Sequence, residues 1–222
     1  MTASLRKRRS ARIALRVAAA TGLLLGVAAF SGQAANSGQA AKSLAAAETQ
    51  PPDDAKRIVF PASNLPRLSF AGVKTRSVKS LLNVRGPMKY GQFVWDEKGV
   101  PAGPIWVRVD LGGQTMSVFR AGHEIGTAVV LYGADEKPTP VGRFKVLAKF
   151  KDHRSSIYDA PMPYTLRLTH DGIAIHGSNV RRDAATHGCV GVPTAFAALL
   201  FGQLKVGNEV AIVRGGSDAS ST

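Results

Sequence analysis

The sequence predicts a mostly β protein, a β-sandwich-like domain with one clear helix after its single cysteine, Cys189. Short segments that alternate apolar and polar residues recur from Ile105 onward, and glycine-rich turns separate them. Only one strong helical pattern is present, and it lies near the C-terminus. The 222 residues are 45% hydrophobic and 20% charged, a composition typical of one globular domain with short additional segments.

The first residues have the pattern of an export signal. A basic run over 6–16 precedes an apolar stretch over 17–30, which has the length of a secretory core and is short for a transmembrane helix. We expect a signal peptide over 1–34, with cleavage as late as residue 47. The alternative is an uncleaved anchor, the only membrane contact that we expect. The domain is therefore predicted to be exported, to the periplasm or the cell wall.

The composition separates three further segments outside the main domain. Residues 35–55 are small, polar and proline-containing, which predicts a flexible linker. Residues 56–103 are rich in turn signals and stay unassigned, with a helical pattern only over 78–84. The last residues, 214–222, are glycine- and serine-rich and are expected to form a disordered tail.

The elements of the β-rich part follow in order from their patterning. Alternation and glycine turns predict strands over 105–111, 115–120, 124–131, 144–147, 164–168, 173–176 and 209–213. Residues 193–204 predict the helix, because Pro193 suits a first helical position and leucines form an apolar stripe with Phe196. We expect Gly207 to end it. Cys189 would then lie on a loop just before the helix N-terminus, where the dipole favours a thiolate.

The net charge of +14 is basic, and seven of the cations lie in the first 47 residues, which contain no acid. The rest of the chain has 22 basic and 15 acidic residues. This moderate excess suits an anionic partner such as nucleic acid, a membrane or the cell wall. Dense basic clusters interleaved with aromatic residues are missing from the sequence, so we predict no nucleic-acid binding.

Cys189 lies two residues after His187 and thirteen after His176. The thiolate is the reactive form of cysteine, and a neighbouring imidazole makes it available. Gly188 and Gly191 flank the thiol and let the backbone turn tightly, which brings N–H groups within reach of an oxyanion. In an exported chain an unpaired thiol is a liability unless it is used, so we expect Cys189 to be a nucleophile.

Two other interpretations of this cluster are a buried structural cysteine and a zinc site. His176, His187 and Cys189 are enough ligands for a catalytic zinc. The His-x-Cys spacing is unusual for one metal, however, and Asp183 is the one nearby acid that would act as a general base. We therefore predict no metal.

Three blocks of the sequence, in order, resemble the signature of the L,D-transpeptidase catalytic domain, the YkuD family. Residues 176–178 (His-Gly-Ser) and 186–190 (Thr-His-Gly-Cys-Val) are similar to its catalytic motif. Residues 137–144 resemble its Thr-Pro-x-Gly-x-Phe segment, and 160–164 its Met-Pro-Tyr strand entry. The resemblance covers 104–213 and identifies this segment as the catalytic domain.

The resemblance implies an enzyme that remodels peptidoglycan, acts on stem peptides and needs no cofactor. A cysteine thiolate attacks the carbonyl before the terminal D-Ala of a tetrapeptide stem, and an amine of a second stem resolves the thioester to a 3→3 cross-link. With water as acceptor the enzyme would be an L,D-carboxypeptidase or endopeptidase. A non-catalytic wall-binding module of the same fold is a further alternative, and no oligomeric state is predicted.

The resemblance also implies roles for individual residues. Cys189 is the nucleophile, His176 the base, His187 an orienting residue, and the backbone of Gly188 and Cys189 the oxyanion donor. The residues expected to contact substrate are Tyr164, Thr186, Ser178, Arg181 and Arg182. The family often has Arg or Asn at the position of Gly191, and we expect Arg181, Arg182 or Arg167 to take over that role.

Overall fold

The computed structural model describes residues 57–72, 74–134 and 136–215. The expected signal peptide, the linker and residues 216–222 of the tail lie outside the described residues. In the part of the chain that is described, no helix is long and apolar enough to cross a membrane.

Within the described ranges the chain forms fourteen strands and one helix. They are β1 (Arg57–Val59), β2 (Arg67–Ser69), β3 (Thr75–Ser77), β4 (Ser80–Leu82), β5 (Phe93–Trp95), β6 (Ile105–Asp110), β7 (Thr115–Arg120), β8 (His123–Val129), β9 (Gly142–Lys145), β10 (Ala148–Phe150), β11 (Thr165–Arg167), β12 (Ala174–Ser178), β13 (Val190–Pro193), α1 (Thr194–Gln203) and β14 (Glu209–Val213).

The main sheet has eight strands in the order β1-β4-β8-β7-β6-β14-β9, with β5 paired to β8. Its centre is the antiparallel meander β6–β7–β8, which confirms the hairpins predicted from alternation. The closing strand β14 runs parallel to β6 and antiparallel to β9. Val107, Met116 and Ile125, one from each meander strand, have no solvent exposure and belong to the main core.

The second sheet has the order β10-β11-β12-β13, and β2 and β3 form a separate pair. Helix α1 follows β13 directly, and Phe196 on it meets the ring of Trp95 edge-on at 5.4 Å between centroids. Residues of both large sheets and of α1 thus share one apolar core. This arrangement confirms the predicted fold class, a mostly β domain with one helix after Cys189.

Three local predictions were wrong. The segment 78–84, with its helical pattern, contains strand β4, because Ser80–Leu82 pairs with β1 on one side and β8 on the other. The helix begins at Thr194 instead of Pro193, since Pro193 ends strand β13. The helix stops at Gln203, where Leu204 is already extended, so Gly207, with φ +92°, turns the chain into β14 instead of ending the helix.

Candidate functional site

His176 and Cys189 are brought together by the parallel ladder between β12 and β13. In this ladder Ile175 pairs with Val190 and His176 with Gly191. Cys189 directly precedes β13, the strand that pairs with the one carrying His176. Both residues line one cavity of about 650 Å³.

The backbone around Cys189 is held by two threonine hydroxyls. Thr186 Oγ1 donates a hydrogen bond to the Cys189 carbonyl at 2.5 Å, and Thr139 Oγ1 donates to the same oxygen at 3.4 Å. Thr139 Oγ1 also accepts from the N–H of Gly133 at 2.8 Å. The Cys189 backbone is therefore fixed on its carbonyl side.

Gly188 is required by its backbone conformation. Its φ is +98°, which L-residues rarely adopt. Among the described residues, the N–H groups of Gly188 and Cys189 take part in no backbone hydrogen bond. Two neighbouring donors without backbone acceptors are the arrangement that an oxyanion site needs.

The Cys189 thiol is half-buried, and its Sγ lies 3.7 Å from the Gly172 carbonyl oxygen. Burial raises the pKa of the thiol, and the N–H of Ala174 and the charge of Lys137 oppose this effect only in part. The predicted thiolate at a helix N-terminus was wrong, because the whole of β13 separates Cys189 from the first residue of α1. The resting side chain is a neutral thiol.

His176 is 8% exposed, and its Nδ1 lies 2.9 Å from the Gly177 carbonyl oxygen. A carbonyl only accepts hydrogen bonds, so Nδ1 is assigned the proton and Nε2 keeps its lone pair. Burial lowers the pKa of the imidazole, the Gly177 carbonyl opposes this effect, and His153 adds to it. His176 is therefore neutral at neutral pH. Its Nε2, the nitrogen that would accept a proton, forms none of the hydrogen bonds described for this ring, which both involve Nδ1.

His187 is exposed and lies against the wall of the cavity. Its ring stacks on Tyr158, with 4.1 Å between centroids and 16° between planes. The described hydrogen bonds of this part of the chain include none from the His187 side chain. The structure therefore places His187 at the same cavity as the thiol, with its ring packed on an aromatic ring.

Of the residues expected to contact substrate, Ser178, Thr186 and Arg181 line the cavity and Tyr164 and Arg182 do not. The Thr186 hydroxyl is already bonded to the Cys189 carbonyl. Tyr164 has φ +56°, and its ring packs edge-on against Phe201 at 5.8 Å. The Arg182 guanidinium lies 5.7 Å from the centre of another ring, that of Tyr90.

Two cationic side chains that line the cavity are those of Lys137 and Arg181. Arg167, the third expected replacement for the family's Arg or Asn, is not among the lining residues; its guanidinium donates to the carbonyls of Thr169 and His170. Lys137 was missed by the sequence analysis, although it opens the block 137–144. Its position is fixed by a turn, in which its N–H donates to the Ala134 carbonyl at 2.9 Å.

No three His, Cys, Asp or Glu side chains in the described ranges are grouped so that they would hold a metal ion. Asp171 is the carboxylate that lines the cavity, and it acts on the thiol by raising its pKa.

The comparison with protein-family models matches the segment that carries the sequence motifs. A family model described as the L,D-transpeptidase catalytic domain, YkuD, matches residues 104–212. An L,D-transpeptidase from Mycobacterium smegmatis is 21% identical with a TM-score of 0.46, and covers 49% of this chain and 58% of its own. An L,D-transpeptidase (Yku) from Stackebrandtia nassauensis is 26% identical with a TM-score of 0.47, and the match covers 53% of this chain and 60% of that protein.

A third solved structure, the L,D-transpeptidase (residues 123-326) from Xylanimonas cellulosilytica DSM 15894, is 23% identical with a TM-score of 0.45. It covers 51% of this chain and 62% of its own length. The chain thus spans 58 to 62% of the three solved structures. The search of the curated proteins finds no match.

Proposed function

Residues 104–212 match the family model of the L,D-transpeptidase catalytic domain, YkuD, and on that premise we propose that this chain is a cysteine-dependent acyltransferase of peptidoglycan stem peptides. Its donor is a tetrapeptide stem that loses its terminal D-Ala, and its acceptor is an amine of a second stem. The observation that carries the proposal is that Cys189 and a neutral His176 face the same cavity within the matched segment.

The first half-reaction forms a thioester. Cys189 Sγ attacks the carbonyl carbon before the terminal D-Ala, a sulfur–carbon bond forms, and the thiol proton moves to His176 Nε2. The negative charge goes to the carbonyl oxygen, for which the N–H groups of Gly188 and Cys189 are the donors. When this intermediate collapses, the carbon–nitrogen bond breaks and His176 returns the proton to the leaving amine of D-Ala.

The second half-reaction runs in reverse with a new amine. The acceptor amine attacks the thioester carbonyl, His176 takes its proton, and the sulfur leaves and is reprotonated by the imidazole. Atoms and charges balance without a cofactor. Burial disfavours the charged forms of both the thiol and the imidazole, so the thiol needs a base, and His176 has that role in the proposal.

The charges of the cavity support an anionic substrate. Lys137 and Arg181 line it with one carboxylate, Asp171. Free carboxylates of a stem peptide are attracted to such a site. The expected export signal over 1–34 would deliver the domain to the periplasm or cell wall. Cross-linking of stem peptides there would give the protein a role in cell-wall organisation and cell shape.

Mass spectrometry of the full chain with muropeptide tetrapeptides tests the proposal. We expect wild type to form an acyl adduct on Cys189 with loss of D-Ala and then 3→3 dimers. Cys189→Ala should form neither, and His170→Ala, which changes an exposed histidine outside the cavity, should behave as wild type. Tripeptide without dimers would establish the carboxypeptidase instead. No adduct on wild type would contradict the enzyme and leave a wall-binding module.

A further inference from the structure

At Gly191 a larger residue is excluded by the neighbouring side chains and not by the backbone conformation. Its φ is not in the left-handed region, so its backbone would accept other residues. A Cβ built on it, however, would lie 2.7 Å from Ser178 Oγ, 3.0 Å from Ser178 Cβ and 3.4 Å from Leu131 Cβ. Real Cβ atoms essentially never approach another atom closer than 3.0 Å, so Ser178 occupies the place of a side chain at 191.

The Gly191 backbone has little freedom to move away from Ser178. Its N–H donates to the Leu131 carbonyl at 2.9 Å and its carbonyl accepts from the Leu131 N–H at 2.8 Å. On the other side it pairs with His176 in the ladder between β12 and β13. A side chain at 191 would therefore be accommodated by moving Ser178, since the backbone is bonded on both sides.

The Ser178 side chain that fills this space touches His176. The two residues are two apart on β12 and face the same side of the sheet. Ser178 Oγ lies 3.2 Å from His176 Nδ1, which also lies 2.9 Å from the Gly177 carbonyl oxygen. One N–H thus has two acceptors, which hold the ring in one orientation and keep the proton on Nδ1.

We propose that Ser178 is a positioning residue for His176 and that Gly191 is the vacancy that admits its hydroxyl. The inference rests on the proposed function, in which His176 Nε2 is the base. Ser178, expected from the sequence to contact substrate, acts in this proposal through the imidazole. The family often has Arg or Asn at the position of Gly191. In this chain the glycine leaves room for the Ser178 side chain.

The test compares Ser178→Ala and Gly191→Ala with wild type by two measurements on the full chain. The first is the ¹⁵N shift pattern of the His176 ring, which reports which nitrogen carries the proton. The second is the rate of Cys189 alkylation by iodoacetamide as a function of pH. Ser156→Ala is the matched control, because Ser156 also lines the cavity and forms none of the hydrogen bonds to His176.

Both Ser178→Ala and Gly191→Ala should increase the population with the proton on Nε2. They should also slow alkylation at neutral pH about five- to tenfold, the effect of losing one net hydrogen bond. The double variant Gly191→Ala with Ser178→Gly removes the collision. It should therefore melt at a higher temperature than Gly191→Ala, in which the collision persists, while keeping the altered ring signal and the slow alkylation.

A wild-type ring signal and an alkylation rate within about twofold of wild type in Ser178→Ala would overturn the proposal. So would a double variant that regains the wild-type rate, because the hydroxyl would then have no role. The ring signal does not depend on turnover. A chain that shows the ring effect but forms no peptidoglycan adduct would contradict the proposed function and leave the positioning role standing.

Discussion

Replacing Thr139 with valine should destabilise the fold more than replacing Thr186 with valine, although both hydroxyls bond the Cys189 carbonyl. The Thr186 bond to this oxygen is the shorter, 2.5 Å against 3.4 Å. Only Thr139, however, also accepts a hydrogen bond, from the N–H of Gly133 at 2.8 Å. The two substitutions therefore leave different groups without partners.

The expected costs follow from those partners. Thr139 is 2% exposed, and valine there removes the acceptor of a buried N–H, which costs about 1–3 kcal/mol in addition to about 1 kcal/mol for the bond lost to Cys189. Valine at Thr186 removes one donor from a carbonyl that keeps Thr139, about 1 kcal/mol. For a domain of this size about 1 kcal/mol lowers the melting temperature by roughly 2–4 °C.

Thermal unfolding of the two variants measures the difference. Thr139→Val should melt roughly 4–16 °C below wild type and Thr186→Val roughly 2–4 °C below it. Thr75→Val is the control: its hydroxyl accepts from Arg67 Nε at 2.8 Å at the surface, where water replaces the lost partner, so the free energy of unfolding should change by less than about 0.5 kcal/mol. The reasoning is refuted if Thr186→Val lowers the melting temperature as much as Thr139→Val.

Three further predictions concern titratable groups. Lys137→Met should raise the pKa of the Cys189 thiol further, since it removes a cation that lowers that pKa; iodoacetamide alkylation would then be slower at neutral pH, and an unchanged pH profile would exclude this role. The acid limb of kcat/KM should lie below pH 6.5, because burial lowers the pKa of His176 and the base stays unprotonated at lower pH; a limb above 6.5 would argue against His176. Burial raises the pKa of the Glu124 carboxyl above 4.5 in the folded state, so its contribution to stability falls as pH rises through the folded pKa. Glu124→Gln keeps an oxygen for the Leu82 N–H. Raising the pH from 5 to 7 should therefore lower the free energy of unfolding, measured in urea, less for this variant than for wild type. An equal decrease in both proteins would contradict this account.

The long strands of the main sheet were predictable, and the short ones were not. β6 and β7 alternate over six residues each, so their patterns indicate both type and register. Strands such as β4 and β5 have three residues each, too few for a pattern to show. Their conformation is imposed by pairing with β8, a contact that the local sequence does not contain.

The site was predictable where residues are close in sequence and less so where distant contacts direct a side chain. Residues 186–189 form one turn, so their proximity to the thiol followed from the sequence. The ring of Tyr164 packs on Phe201, and its backbone has φ +56°. The sequence motif does not predict this conformation. Lys137 lies fifty-two positions before Cys189, and only the fold brings its charge to the thiol.

The aromatic contacts of Phe196 show that the folding unit begins before the segment that matches the family model. The matched segment starts at residue 104, yet Phe93 and Trp95, both before that point, pack edge-on against Phe196 on α1. A chain shortened to begin at residue 104 would expose the apolar surface behind α1, the helix that follows β13. Truncation at the homology boundary would thus remove part of the folding unit, and the shortest autonomous version of this protein has to include β5.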